Sequence, residues 1–321
     1  MRAVWSVYCI LCAATTVVML TCALLRKLSE TAAERHERRY ARRFMQIIAA
    51  RMLGNDGFPM ARFPMCERRG AKEILAGLLA TASSTTCIDE PGAVRRIMAA
   101  NGIEGWLLRR VKHSRGYVRA RYLSMLAALP VSRSTADYLR RCCSSGGSHT
   151  RFRTMLVAIA ADPRSAVRLI AEYPQPLNPM ETAELTSMLQ RGMLPLAYAP
   201  LLESANRNLR MLGLNIVRAC NICEAEHRLL GMIADGESVP DECRDEAIET
   251  LVALHLPVFH RTVTDRIRSM PQDRRKALFR RLVAEGYSAT ALNRIAEGEE
   301  LSYIESFAAS YKRSLVCHSQ Y

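Results

Sequence analysis

Aromatic residues make up only 6% of this 321-residue chain, and alternating Val/Ile/Thr runs are nearly absent after residue 25. That scarcity argues against a β-sandwich or barrel, which needs many short alternating strands. Phosphate loops are missing as well: Ser144-Ser145-Gly146-Gly147-Ser148 lacks the Lys-Ser/Thr that would have to follow, and reads as a turn. The seven histidines show no ligand spacing. Glu224, Glu226 and His227 do not form a His-Glu-x-x-His motif, and Pro257 separates His255 from His260. Eleven cysteines stand in no framework pattern, which argues for a reducing compartment rather than a disulfide scaffold. The single Cys-x-x-Cys, Cys220 to Cys223, falls between two expected helices without the strand-turn-helix setting of a redox site. No catalytic residue, cofactor or metal is therefore expected.

What is present is a helix-forming vocabulary of Ala, Leu, Arg, Met and Glu, with 49% hydrophobic residues. An apolar-Arg phrase with apolar residues three and four positions later recurs at Val118-Arg119, Phe152-Arg153, Leu209-Arg210 and Cys243-Arg244. A degenerate copy carries Glu181, and a faint one reads Asp273-Arg274. The steps between these positions are 34, 28, 29, 34 and 30 residues, about one helix pair each. The expected pairs are 115–129 with 132–143, 150–161 with 163–173, and 178–190 with 195–204. Three more are 206–221 with 223–235, 241–254 with 258–270, and 271–286 with 288–297. Three shorter helices over 71–112 form an N-terminal cap, and 299–321 supplies a C-terminal capping helix and tail. An apolar stripe as wide as that phrase provides cannot be buried by one pair, so stacking is expected.

The net charge of +14 is uneven. Residues 1–121 carry 21 Lys/Arg against 9 Asp/Glu, and the rest carry 24 against 22. Ala3 to Leu25 holds 23 residues without a charge, about 34 Å as a helix, and Arg26, Lys27, Arg35, Arg38, Arg39, Arg42 and Arg43 follow it. Residues 1–27 are therefore expected as a transmembrane anchor with the C-terminal side cytoplasmic, and 28–53 as a basic juxtamembrane helix. Arg38, Arg39, Arg42 and Arg43 are candidates for contact with anionic lipid headgroups.

The apolar-Arg phrase at Asp162-Pro163…Val167-Arg168…Ala171 and Asp241-Glu242-Cys243-Arg244…Ala247 is similar to HEAT repeats, including the phycobilisome-lyase-type variants. The resemblance covers 115–297 and implies a HEAT-like α-solenoid of about six helix pairs there, so the expected fold is all-α, an N-terminal transmembrane helix followed by that solenoid. It also implies that Arg119, Arg153, Arg210 and Arg244 form a structural ladder between repeats. The layout resembles the membrane-anchored HEAT-repeat proteins of bacteria. That resemblance implies a single-pass inner-membrane protein beside a membrane-bound polysaccharide glycosyltransferase. The expected function is a non-enzymatic scaffold or adaptor that binds a membrane-associated protein partner on its concave face. The candidate contacts are Arg133, Asp137, Arg140, Arg164, Arg168, Glu172, His227, Arg228, Arg261 and Arg266. The alternative is a HEAT-like nucleic-acid binder or DNA glycosylase, for which Trp106 in the basic stretch 95–121 is the main sequence feature. Nucleic acid is the less favoured partner, because the repeats themselves are close to neutral.

Overall fold

The structure is a computed structural model and describes residues 38–46, 62–67, 70–85, 91–190, 197–296 and 299–318. Every regular element among them is helical. After a helical stretch at 38–46 come α1 (Ala71–Thr85), α2 (Pro91–Asn101), α3 (Ile103–His113), α4 (Gly116–Ala127), α5 (Arg133–Cys143) and α6 (Ser148–Ala161). Then follow α7 (Ala166–Ala171), α8 (Pro179–Gln190), α9 (Tyr198–Glu203), α10 (Arg207–Ala219) and α11 (Glu226–Ala234). The last are α12 (Asp241–Ala253), α13 (Arg261–Ser269), α14 (Gln272–Ala284), α15 (Ala289–Leu292) and α16 (Glu299–His318).

One part of the expected fold class is corrected. Among the described residues the fold is all-α and no helix is long and apolar enough to cross a membrane, so the transmembrane helix of the expected fold class is not among the elements found. The longest helix, α16, has 20 residues but carries Glu299, Glu300, Glu305, Lys312 and Arg313. Residues 3–25, on which the expected span fell, lie outside the described residues, as does most of the expected helix 28–53.

The chain divides into two compact units, residues 1–161 and 162–321. In the first, α4 packs on α3 and α6, and α6 packs on α5. Ile103, Leu107 and Val111 place one buried stripe on α3, while Arg110, Lys112 and His113 lie in its last turn, where cations complement the helix dipole. Glu104 ties α3 to the start of α5. Its Oε1 accepts from the Ser132 amide at 3.1 Å, the Ser132 hydroxyl at 2.9 Å and the Thr135 hydroxyl at 2.5 Å. Burial pushes this carboxyl up, but the bonds from Thr135 and Ser132, with the nearby Arg95, outweigh it and hold Glu104 below its ordinary value.

In the second unit the helices form two layers. Neighbouring α8, α10 and α12 pack side by side, α14 packs on α16, and α11 packs on both α12 and α13. One apolar cluster runs through the unit, including Leu214, Leu229, Ile248, Leu251, Val263, Leu278, Phe279 and Ile304. The helices α10, α12 and α14 each have 13 residues and end in the same way. Ile222 N donates to Val217 O, Leu256 N to Leu251 O and Tyr287 N to Leu282 O, the six-to-one bond of a Schellman turn. The left-handed residue this turn requires is Asn221, His255 and Gly286, with φ of 52°, 53° and 93°. In each case it stands eleven positions after an arginine: Arg210, Arg244 and Arg275.

Candidate functional site

That register changes the reading of the arginine phrase. In the last copy the equivalent residue is Arg275, not Arg274, since Arg275, like Arg210 and Arg244, is the fourth residue of its helix. Two of the three arginines reach back to the end of the preceding short helix. Arg244 Nε donates to Ile233 O at 2.9 Å, and Arg275 Nη1 donates to Arg268 O at 2.7 Å. Carbonyls in a last helical turn lack intrahelical donors, so these side chains act as remote C-caps. Arg119 does the same in the first unit, donating to Val111 O at 3.2 Å and Ser114 O at 2.8 Å. Arg153 is half-buried with its guanidinium carbon 5.8 Å from the Phe152 ring centroid. Glu181, in the degenerate copy, is buried and does a different job. It forms a capping box with Asn178, accepting from its amide at 3.0 Å while Glu181 N donates to Asn178 Oδ1 at 2.9 Å.

Arg210 stands apart. Its Nη1 donates forward to Ser238 O at 2.9 Å, its Nε has no acceptor, and only 6% of the residue is exposed. It lines a cleft of about 840 Å³ together with Leu202, Glu203, Glu224, His227, Arg228, Gly231, Met232, Asp235 and Val239. The walls come from α9, α10, α11 and the 235–239 turn. That turn is built by Asp235, which accepts from the amides of Glu237 at 3.2 Å and Ser238 at 3.0 Å and from the Ser238 hydroxyl. The bonds from Ser238, then that from the Glu237 amide and the field of Arg210, outweigh burial and hold the Asp235 carboxyl below its ordinary value. At the rim Arg228 pairs with Glu203.

A second, smaller cleft of about 260 Å³ opens between α12 and α14. Glu242, Asp245, Glu246 and Glu249 line it at helical spacing on α12, and arginines from neighbouring helices bridge to them. Arg207 and Arg218 of α10 pair with Glu242 and Glu246. Arg274 and Arg281 of α14 pair with Asp245 and Glu249, and Arg266 of α13 also reaches Asp245, at 2.6 Å. The partners of the four pairs from α10 and α14 lie 35, 28, 29 and 32 residues apart, so the sequence period is also the period of the ion pairs. Burial, and then the charge of Glu246, push Glu249 above its ordinary value against the pull of Arg281.

The structure distributes the expected contact residues as follows. Arg133, Asp137 and Arg140 are exposed on α5, and Arg164, Arg168 and Glu172 are exposed around α7, with Arg168 and Glu172 paired at 3.3 Å. His227 and Arg228 come together on the large cleft. Arg261 is exposed and 3.7 Å from Asp265. Arg266 is buried instead, because it shares the inward face of α13 with Val263 and Ile267, where Asp241 and Asp245 hold it. Arg38, Arg39, Arg42 and Arg43 are exposed on the 38–46 helix, whose Tyr40 and Phe44 are buried. Trp106 packs edge-on against Tyr122 at 5.8 Å, with the Arg110 guanidinium 5.3 Å over its ring. Among the described residues, the cysteines of the Cys-x-x-Cys are exposed free thiols, and no group of His, Cys, Asp and Glu is placed to hold a metal.

Sequence reasoning missed two asparagines. Asn208 is buried on α10 and clamps the 173–177 turn, accepting from Leu177 N at 2.9 Å and donating to Gln175 O at 2.9 Å and Tyr173 O at 3.4 Å. Asn206 caps α10 through Leu209 N and donates to Ala171 O, the end of α7, at 3.0 Å. Together they serve α7 as Arg244 serves α11. Neither a protein-family model, nor a curated protein, nor a solved structure matches the chain.

Proposed function

We propose that this protein is a non-enzymatic scaffold or adaptor, and that its helix pairs form a HEAT-like α-solenoid that offers a protein partner the large cleft on α9 and α11. The observation that carries this reading is the cleft itself. Its 840 Å³ lies in the range of a ligand-binding pocket, its wall mixes apolar and charged side chains, and it includes His227 and Arg228. The titratable groups elsewhere support a structural rather than a catalytic use. Glu104 spends its carboxylate on the start of α5, the α12 carboxylates are bridged by arginines, and burial pushes the Cys66, Cys143 and Cys243 thiols up, away from the nucleophilic thiolate.

The test is affinity capture by the full chain, comparing the wild type with Arg228→Glu on the cleft wall and with a double charge reversal at Arg140 and Arg168, which lie off it. All three are exposed, so the fold should survive. Loss of one discrete co-purifying protein in Arg228→Glu but not in the double variant is expected, and capture by Arg228→Glu identical to wild type removes the reading.

A further inference from the structure

We infer that Arg210 is a carboxylate anchor, and that the large cleft takes a short peptide segment of the partner in which an acidic group adjoins an aliphatic side chain. The inference starts from a buried cation with no carboxylate in direct contact, on which Asp235 acts only through its field. Arg244 has Asp241 at 3.3 Å and Arg275 has Glu300 at 2.7 Å, but no carboxylate among the described residues comes within ion-pair reach of Arg210. Its contact with Ser238 O satisfies one donor of five, and the buried Nε is left without an acceptor. The field of Asp235 offsets part of the cost of this buried charge but fills none of its donors, and a guanidinium presents paired donors that match the two oxygens of a carboxylate.

The walls narrow the choice of anion. Asp235 and Glu224 also line the cleft, with Glu203 paired to Arg228, and the two charges left without an ion pair among the described residues oppose a dianion such as phosphate more than a single carboxylate. Leu202, Met232 and Val239 present apolar surface beside Arg210, and Gly231 leaves open space on α11 where any side chain would project. An aliphatic residue next to the acid fills that space. Because Arg210 is nine-tenths buried, the acid has to arrive at a tip: a chain terminus or the end of a Glu side chain.

The inference rests on the adaptor reading but is tested separately from it, with purified full chain and synthetic probes. Three fluorescein-labelled hexapeptides are titrated by anisotropy: one ending in Leu-Val with a free carboxylate, one amidated with an internal Leu-Glu-Leu, and the amidated Leu-Gln-Leu control. At least one acidic peptide is expected to bind ten-fold or more tightly than the control, and which one does so identifies the source of the carboxylate. Arg210→Gln should remove that preference. Because Arg210 also supports the 235–239 turn, Gly231→Leu is the independent variant: it fills the cleft from an open helical position, should melt no lower than wild type, and should weaken the acidic peptide ten-fold or more. Equal binding of acidic and neutral peptides, no binding at millimolar peptide, stronger competition by inorganic phosphate than by the acidic peptide, or full binding by Gly231→Leu would each overturn the assignment. Failure here leaves capture by the full chain intact as evidence for an adaptor, whereas capture indifferent to charge reversal removes the adaptor reading without affecting the titration.

Discussion

Replacing Asn208 by alanine tests how the second unit is held together. The side chain gives two well-placed hydrogen bonds at 2.9 Å and a longer one at 3.4 Å, all to the backbone of the 173–177 turn. That turn contains Pro174 and Pro176, which have no amide of their own to offer. At about 1 kcal/mol net for each good bond, plus the penalty for leaving the Leu177 amide buried and unmade, Asn208→Ala should cost about 2–4 kcal/mol. Asn208→Asp keeps the acceptor for Leu177 N but turns carboxylate oxygen toward the carbonyls of Tyr173 and Gln175, so it should be at least as destabilising. Urea unfolding of the full chain gives the size of the effect, and hydrogen exchange gives its place. The Leu177 amide should lose at least about ten-fold protection, since 1.4 kcal/mol is a factor of ten. An Asn208→Ala chain within about 0.5 kcal/mol of wild type, with Leu177 still protected, would refute the clamp.

Three further outcomes follow from the same contacts. Arg275→Ala should be clearly worse than Arg274→Ala, although the residues adjoin. The first removes the ion pair to the nearly buried Glu300 and the bond to the Arg268 carbonyl, at about 2–4 kcal/mol, while Arg274 is half exposed and contributes about 1 kcal/mol or less, as thermal unfolding of both variants will show. Glu104 has its pKa lowered by folding, so its contribution is present above the unfolded carboxylate value and is lost as pH falls through the folded value. Stability measured from neutral pH down to about 3 should therefore fall less steeply for Glu104→Gln than for wild type. Glu249 has the opposite sign: its pKa is raised, so ionisation at neutral pH works against folding, and Glu249→Gln should lie within about 1 kcal/mol of wild type despite losing Arg281. A loss of 3 kcal/mol in urea would contradict that sign.

Helix bodies were the legible part of this chain, because their apolar spacing is local. The expected helix at 241–254 is Asp241–Ala253, and that at 103–112 is Ile103–His113. Short or weakly periodic segments were less so: among the described residues of 288–297 the helix is the single turn Ala289–Leu292, and 163–173 opens with the 3-10 turn Pro163–Ser165 before α7. The repeat register in the last copy was ambiguous because apolar residues stand three and four positions after both Arg274 (Ala277, Leu278) and Arg275 (Leu278, Phe279). The helix ends resolve it, and only Gly286 among the three left-handed residues carries the glycine that signals such an end. Arg266 was mistaken for a surface residue although Val263 and Ile267 place it on the buried stripe. Asn178-x-x-Glu181 is a readable capping signature that the search for an arginine obscured. The Asn208 clamp spans 31–35 residues and leaves no local trace. Arg210 was expected in the ladder; that it has no carboxylate in direct contact depends on side chains that only the fold brings near it.

The central claim is that the cleft lined by Arg210, His227, Arg228 and Gly231 receives the partner. A photoreactive phenylalanine placed at His227, exposed on the cleft wall, and at Arg280 on α14 as the exposed control, tests it directly in cells. Crosslinking of one discrete protein from position 227, suppressed by the acidic peptide and absent from position 280, is the predicted result. The same protein crosslinked from 280 and not from 227 would contradict the account.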